Sequence, residues 1–336
     1  MVTKNSKLVT LHWLEKMTKK RFYCIACFIM TLLPHFVKGQ EDVMFTNRQL
    51  RAAYTNPAYI PEIKYATITL GHRRQWVGVE GAPVSSYVGG KYFFLGAHSQ
   101  VGLSVLHDKI GYHQYVNPKA SYACMIPIWD DSYLNLGLAA GLINRDYDKS
   151  EIRADNTTGN ADYFDDQISG SVPDVDVGLE LLIQGFELGV AGNHLISSND
   201  YFEVKPLYSG YINYYFQTSE WWRLFPSISV YNYRDRWKTQ ISCYFYYIFD
   251  YEWNPYDLFY VGAAFRPNYD VSVHLGVNPT SWFNIFYSYE FNTSDLYHDT
   301  HGSHEIGIEF KIPYKFQGCF ANYGKSKKYS RYKRYR

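Results

Sequence analysis

The stretch Tyr133-Leu134-Asn135-Leu136-Gly137-Leu138-Ala139 decides the fold class. In an extended chain successive side chains point to opposite faces, so Leu134, Leu136 and Leu138 share one face and Asn135, Gly137 and Ala139 the other. The same period returns in Val175, Val177, Leu179 and Leu181 against Asp176, Gly178 and Glu180. It returns again in Val271 to Asn278, and in Ile306, Ile308, Phe310 and Ile312 against Glu305, Gly307, Glu309 and Lys311. Two architectures use such strands. In a sandwich the apolar face meets a second sheet; in a lipid-embedded barrel it meets acyl chains while small polar residues line the lumen. Periodicity alone does not separate them.

Working outward, strand-like segments fall near residues 65–74, 85–94, 100–108, 112–126, 132–146, 174–183, 186–196, 208–217, 221–233, 236–250, 256–266, 270–278, 282–292 and 304–313. About fourteen is an even count, as a closed antiparallel barrel needs, and it puts both termini on the periplasmic side. Short links alternate with longer ones, notably 147–173 and 293–303. After the first forty residues no apolar run suits a spanning helix, since the uncharged tract from Val271 to Tyr289 is broken by Asn278-Pro279. A membrane form of this chain is therefore a barrel. The expected fold is all-β, a transmembrane antiparallel β-barrel of outer-membrane type over residues 65–313. Residues 40–64 are expected as a periplasmic pre-barrel segment that enters the lumen or caps its base.

The compartment follows from the start of the chain. Lys16, Lys19, Lys20 and Arg21 precede a charge-free run from Phe22 to Leu33 and then Val37-Lys38-Gly39. This reads as a secretory signal over residues 1–39, leaving Gln40 first, and Met17 would give its basic region an ordinary length. Without residues 1–39 the chain carries 26 basic and 31 acidic residues. Residues 313–336 hold eight Lys and Arg and no acid, so the body is strongly acidic and nucleic acid is excluded as its partner. The tail, residues 314–336, is expected in the periplasm. Cys124, Cys243 and Cys319 are scattered and odd in number, which gives no disulfide framework or zinc spacing. Aromatics make 19% of the chain, matching the charged residues, and Tyr and Trp favour the boundary between lipid and water.

One string of residues goes further. Asn56-Pro57-Ala58-Tyr59 is followed by Arg73-Arg74-Gln75-Trp76-Val77-Gly78-Val79-Glu80-Gly81-Ala82-Pro83, then by Asp108-Lys109-Ile110-Gly111 and the late His304-Glu305-Ile306. This combination resembles the PorP/SprF family of the type IX secretion system of Bacteroidetes, from about Phe45 to Ile312. The resemblance implies a multi-pass barrel in the outer membrane that helps export protein cargo or hold it at the cell surface, with other secretion subunits and outer-membrane lipid as partners. In the gliding branch it implies large adhesins bearing a C-terminal secretion signal. From the residues themselves, Pro57 fixes φ and suits a chain entering the first strand at a set angle, and Gly78, Gly81 and Pro83 shape a turn after Trp76, itself a candidate for the aromatic girdle.

The remaining constellations carry little. His298, His301 and His304 lack the carboxylate support of a metal site, and the acids from Asp146 to Asp176 lack the spacing of a calcium hand. No spacing marks a Ser nucleophile with its base. The expectation is a protein without cofactor, metal or catalytic residues. Two other functions compete: a transport barrel for a small solute, plugged by residues 41–64, and a soluble extracellular β-protein that binds carbohydrate through its tyrosines.

Overall fold

The computed structural model describes residues 43–129, 132–147, 169–196, 204–233, 236–249, 256–293 and 300–313. Fourteen strands follow one another in chain order: β1 (Tyr65–Arg74), β2 (Val84–Phe94), β3 (Ser99–Ile110), β4 (His113–Trp129), β5 (Ser132–Tyr147), β6 (Gly170–Ile183), β7 (Phe186–Asn193), β8 (Leu207–Tyr214), β9 (Trp222–Tyr233), β10 (Arg236–Phe249), β11 (Tyr256–Arg266), β12 (Asp270–Thr280), β13 (Phe283–Asn292) and β14 (Ser303–Pro313). After Tyr215, β8 resumes for Phe216–Gln217 against the start of β9. Each strand pairs antiparallel with the next, and β14 pairs with β1 from Tyr65↔Pro313 to Arg74↔His304. The sheet therefore closes into a barrel without a free edge strand.

The alternation read from the sequence is the alternation of the wall. Leu136, Leu138, Leu179 and Val190 face outward, whereas Asn135, Asp176 and Glu180 are buried on the inside. Closure of the sheet pairs the backbone from strand to strand, and the apolar exterior suits lipid. Aromatic pairs ring the end where the chain enters β1: Tyr92 with Phe94 at 4.7 Å, Phe186 with Tyr214 at 4.4 Å, Tyr247 with Phe259 at 5.2 Å and Phe283 with Phe310 at 5.0 Å between ring centroids. Such a girdle marks the lipid–water boundary. We call this end the near end and the opposite mouth the far end. Cys124 and Cys243 lie in the wall between buried neighbours, as small apolar residues of the outer face.

The inside holds more than the small polar residues expected of a lumen. Small polar residues line much of it, Thr67, Ser85, Asn135, Ser227, Ser272 and Ser288 among them, but Tyr87, Phe225, Tyr244, Tyr246, Tyr260 and Phe286 are buried there as well, with Val43, Phe45 and Leu50. The pre-barrel segment accounts for these rings: of the two placements expected for it, the lumen and the base, residues 43–63 take the lumen. Beside them the large rings fill the space between the segment and the wall. The segment carries one helix, α1 (Arg48–Thr55), whose N-cap Asn47 accepts from Gln49 N at 2.9 Å.

β6 begins at Gly170, not after the loop expected over 147–173. Pro173 lies within it, opposite Leu142 of β5, and the pairing of β6 with β7 starts only at Val177. A proline without an N–H is tolerated there because that stretch has one described neighbouring strand.

Candidate functional site

The family-like residues come together in two places, one inside the barrel and one at its far mouth. Inside, Asn56-Pro57-Ala58-Tyr59 forms a turn at the end of α1. Asn56 Oδ1 accepts from Ala58 N at 2.9 Å, and Tyr59 N donates to Asn56 O at 3.0 Å. Asn56 Nδ2 donates to Leu179 O and to Tyr211 Oη, both at 3.3 Å. Tyr211 in turn donates to Glu180 at 2.8 Å, and Glu180 also accepts from Asn135 at 2.8 Å. Each residue type follows from this seat. Asn closes the turn with its carbonyl and reaches the wall with its amide, proline holds the bend, and alanine lets the chain press against β5 and β6.

The wall answers with Gly137 and Gly178. A Cβ built on Gly137 would stand 2.2 Å from Ala58 N and 2.4 Å from Pro57 C; one on Gly178 would stand 2.1 Å from Asn56 Oδ1. Only glycine permits this approach. Tyr59 O then accepts from Lys91 Nζ at 2.8 Å and from Gln100 Nε2 at 3.3 Å. Below it, Ile60 and Ile63 pack with Phe93, Leu95, Met125, Tyr133 and Leu182 at the near end.

The other end of the segment is gripped by charge. Glu305 accepts from Thr46 N and Asn47 N, both at 2.8 Å. Arg73 spans Glu290 through both terminal nitrogens, reaches Glu305 at 3.3 Å, and donates to Thr46 Oγ1 at 3.0 Å. Arg266 joins Glu290 at 2.9 Å and Asp270 at 2.8 Å, and it donates to Thr46 Oγ1 at 3.2 Å. All of these side chains except the partly exposed Asp270 are enclosed, so each charge is paired as burial requires. Asp108 is enclosed nearby and accepts from Ser85 Oγ at 2.5 Å.

At the far mouth, Gln75, Trp76, Gly78, Gly81, Ala82 and Pro83 build the β1–β2 loop. Gln75 N donates to Pro83 O at 2.9 Å, Val79 N to Trp76 O at 3.1 Å, and Ala82 N to Val79 O at 3.3 Å. The loop is laced to its neighbours. Val77 N donates to Gly302 O at 2.8 Å, His301 N to Val77 O at 2.7 Å, and Gly111 N to Gly81 O at 2.8 Å. Gly81 and Gly111 both have positive φ, and that is why glycine follows Lys109 and Ile110 at the top of β3. Trp76 is a corner of this loop, with φ of 49°, and its N donates to Ser303 Oγ at 3.2 Å. The result is a braced platform in which Val77, Val79, Ala82 and Pro83 are half-buried and Tyr112 is exposed.

The metal readings resolve differently. His304 Nδ1 lies 2.6 Å from Tyr287 Oη, whereas His298 lies outside the described residues. Of the acidic run, Asp174 and Asp176 meet His194 with ligand atoms within 4.8 Å of one another. Lys119 Nζ lies 2.8 Å from Asp174 and 2.5 Å from Asp176, so an ammonium already stands where a cation would bind. The acids between residues 148 and 166 lie outside the described residues. Ser272, His274 and Ser288 are hydrogen-bonded together, but they are sealed in the wall, with the His274 ring 5.3 Å from that of Tyr244.

Sequence reading singled out Arg73, Glu305 and Asn56 but not Glu290, Arg266, Thr46 and Asn47, which complete the clamp. The available signal was charge on the inward phase of apolar strands, as Glu290 shows between Tyr289 and Phe291.

Comparison with known proteins places these features in a family. No curated protein matches the sequence. Among solved structures, the toluene transporter TbuX of Ralstonia pickettii aligns with a TM-score of 0.49 at 8% identity, covering 79% of this chain and 93% of its own. The CymD monoaromatic hydrocarbon channel gives 0.48 at 12%, covering 78% and 92%. Omp33 of Acinetobacter baumannii, an outer membrane protein, gives 0.42 at 11%, covering 75% and 100%. Likeness at this level says nothing of a ligand. The family model for the type IX secretion system membrane protein PorP/SprF matches residues 37–310 and so spans the lumenal segment, the motif turn, the mouth platform and nearly all of the barrel. This chain is an outer-membrane β-barrel that belongs to the PorP/SprF family of type IX secretion system membrane proteins.

Proposed function

We propose that this protein is a binding component of type IX secretion that holds protein cargo or fellow subunits at the cell surface, and that nothing passes through its own lumen. The observation that carries the reading is the occupied lumen. Residues 43–63 fill it, clamped by Arg73, Glu290 and Glu305 at one end and seated on Gly137 and Gly178 at the other. A conduit for a folded or unfolded chain would have to break both attachments, several of them buried and charged. A barrel closed in this way works through its outer surfaces. The platform at the far mouth is the surface best built for it, since backbone hydrogen bonds hold its shape before a partner arrives.

Both termini lie on the periplasmic side in this reading, residues 1–39 are removed on export, and the far mouth faces outward. The cargo class that fits is a large surface adhesin with a C-terminal secretion signal, as in the gliding members of the family. The chain acts by binding, without catalysis, and outer-membrane lipid contacts its apolar face.

The test is extraction of a tagged protein from its native outer membrane in mild detergent, with identification of what co-purifies, alongside conductance of the purified protein in planar bilayers. Co-purifying secretion subunits or surface cargo, with no steady conductance, is the expected outcome. Replacing Glu80, exposed on the platform, by Lys should lower cargo retention while leaving the barrel folded. Solute-specific conductance together with normal secretion in a deletion strain would replace this reading by a transport barrel.

A further inference from the structure

Arg73, Arg223, Arg266 and Lys119 are enclosed cations, and each has a carboxylate oxygen within 3.3 Å. Two arginines on α1 depart from this pattern. Arg48 and Arg51 are 8% and 4% exposed, and with Ala52 and Thr55 they form one helix face, three and four residues apart, turned to a cavity against β7, β8 and β9. The cavity is small, with room for one body such as a water molecule or an ion little larger.

Its lining returns less negative charge than the helix supplies. Glu187 lies 3.7 Å from Arg48, beyond hydrogen-bond reach, and its carboxylate already accepts from Asn213 Nδ2 at 3.2 Å. Arg48 Nε has no acceptor. Arg51 donates to Thr46 O at 3.3 Å, and among the described residues no carboxylate reaches it at ion-pair distance. Other lining groups, such as Asn213 and Tyr231, are neutral. An enclosed guanidinium with unmet donors is costly, and that cost falls when an acceptor enters.

We propose that a small inorganic anion of halide size occupies this cavity, accepts from Arg48 and Arg51, and pins α1 to the wall of β7 to β9. It completes the hold on the lumenal segment at a third point, between the charged clamp and the glycine seat. Because the anion binds the folded state, it stabilises the barrel by mass action and the effect saturates with concentration.

The test uses the full-length protein in detergent, with its unfolding temperature followed in sodium chloride, sodium bromide and sodium gluconate at equal ionic strength. Chloride and bromide should raise the unfolding temperature to a plateau, while gluconate, too large for the space, should not. Arg51→Gln should remove the halide-specific rise. Glu187→Gln, which deletes the competing carboxylate, should lower the half-effect halide concentration several-fold, and this decides the matter if Arg51→Gln fails to fold. Crystals grown in bromide should show its anomalous signal between Arg48 and Arg51. An equal rise in gluconate, a halide rise that survives Arg51→Gln, an unmoved half-point in Glu187→Gln, or water alone at that position would overturn the proposal.

Discussion

At Thr46 and Asn47 the lumenal segment is gripped by charge, and at Asn56 to Tyr59 it is seated by shape. The first attachment relies on long side chains that converge across the barrel from β1, β11, β13 and β14. The second relies on missing side chains in β5 and β6, which let one backbone touch another. These devices fail differently. A charged clamp loses much when one member is removed, because the partner stays buried and unpaired. A glycine seat loses nothing on deletion, having nothing to delete, but it cannot accept even a methyl group without moving the segment.

The largest effect should come from the clamp. Arg73→Met leaves Glu290 with Arg266 alone and Glu305 without its guanidinium, and breaking a buried pair in this way costs about 3–5 kcal/mol. Urea unfolding of the barrel in lipid vesicles should show the loss, and planar bilayers should record openings absent from the parent. Adding Glu305→Gln to Arg73→Met should recover part of the stability. A loss smaller than that of a single seat substitution would break the comparison, since charge would then not be the stronger hold.

Next comes the wall that carries the seat. Leu136 and Gly137 are neighbours on opposite faces, one toward lipid and one against Ala58. Leu136→Arg should cost about 2–4 kcal/mol if residue 136 lies near the bilayer midplane. Gly137→Ala should cost about 1–3 kcal/mol by overpacking, and it should do so by displacing the segment, so that conductance rises. The two separate cleanly: the arginine should lower folding yield in vesicles without opening the lumen. Gly178→Ala should be milder than Gly137→Ala, because a side-chain oxygen of Asn56 meets the added methyl where backbone atoms meet it at Gly137.

Much of the wall was legible and much of the lumen was not, for one physical reason. Period-two alternation reports which face a residue joins, and the strands at 65–74 and 256–266 fall at the bounds it implied. The errors fell at ends that alternation does not govern, such as β6 reaching back through Pro173 and β7 stopping at Asn193. Inside, alternation shows that Glu290 and Arg73 point inward, but nothing along the chain says that they meet, because the contact crosses a separation of 217 residues. The motif Asn56 to Tyr59 was visible as a turn, yet its seat on Gly137 and Gly178 was hidden. A glycine opposite a leucine reads first as a small lumenal residue. The basic tail, residues 314–336, lies outside the described residues, and so do residues 148–168.

The smallest effect sharpens the contrast most. Gly90 lies in β2 between outward-facing Val88 and Tyr92, and a Cβ added there has Thr67 O as its nearest atom at 3.9 Å, an ordinary contact. Its backbone needs no positive φ. Gly90→Ala should therefore leave the barrel as stable as before or raise stability by about 0.4–1 kcal/mol, since alanine restricts the unfolded chain without straining the folded one. Conductance should remain at the parent level, because the change is on the lipid side of the wall. Gly90→Ala and Gly137→Ala are the same chemical change in strands of the same sheet, so local strand preference acts on both alike. The difference between them isolates the approach of Ala58 and Pro57 to the wall. If Gly90→Ala destabilised the barrel as much as Gly137→Ala, glycine in these strands would serve the sheet itself, and the seat would lose its explanation.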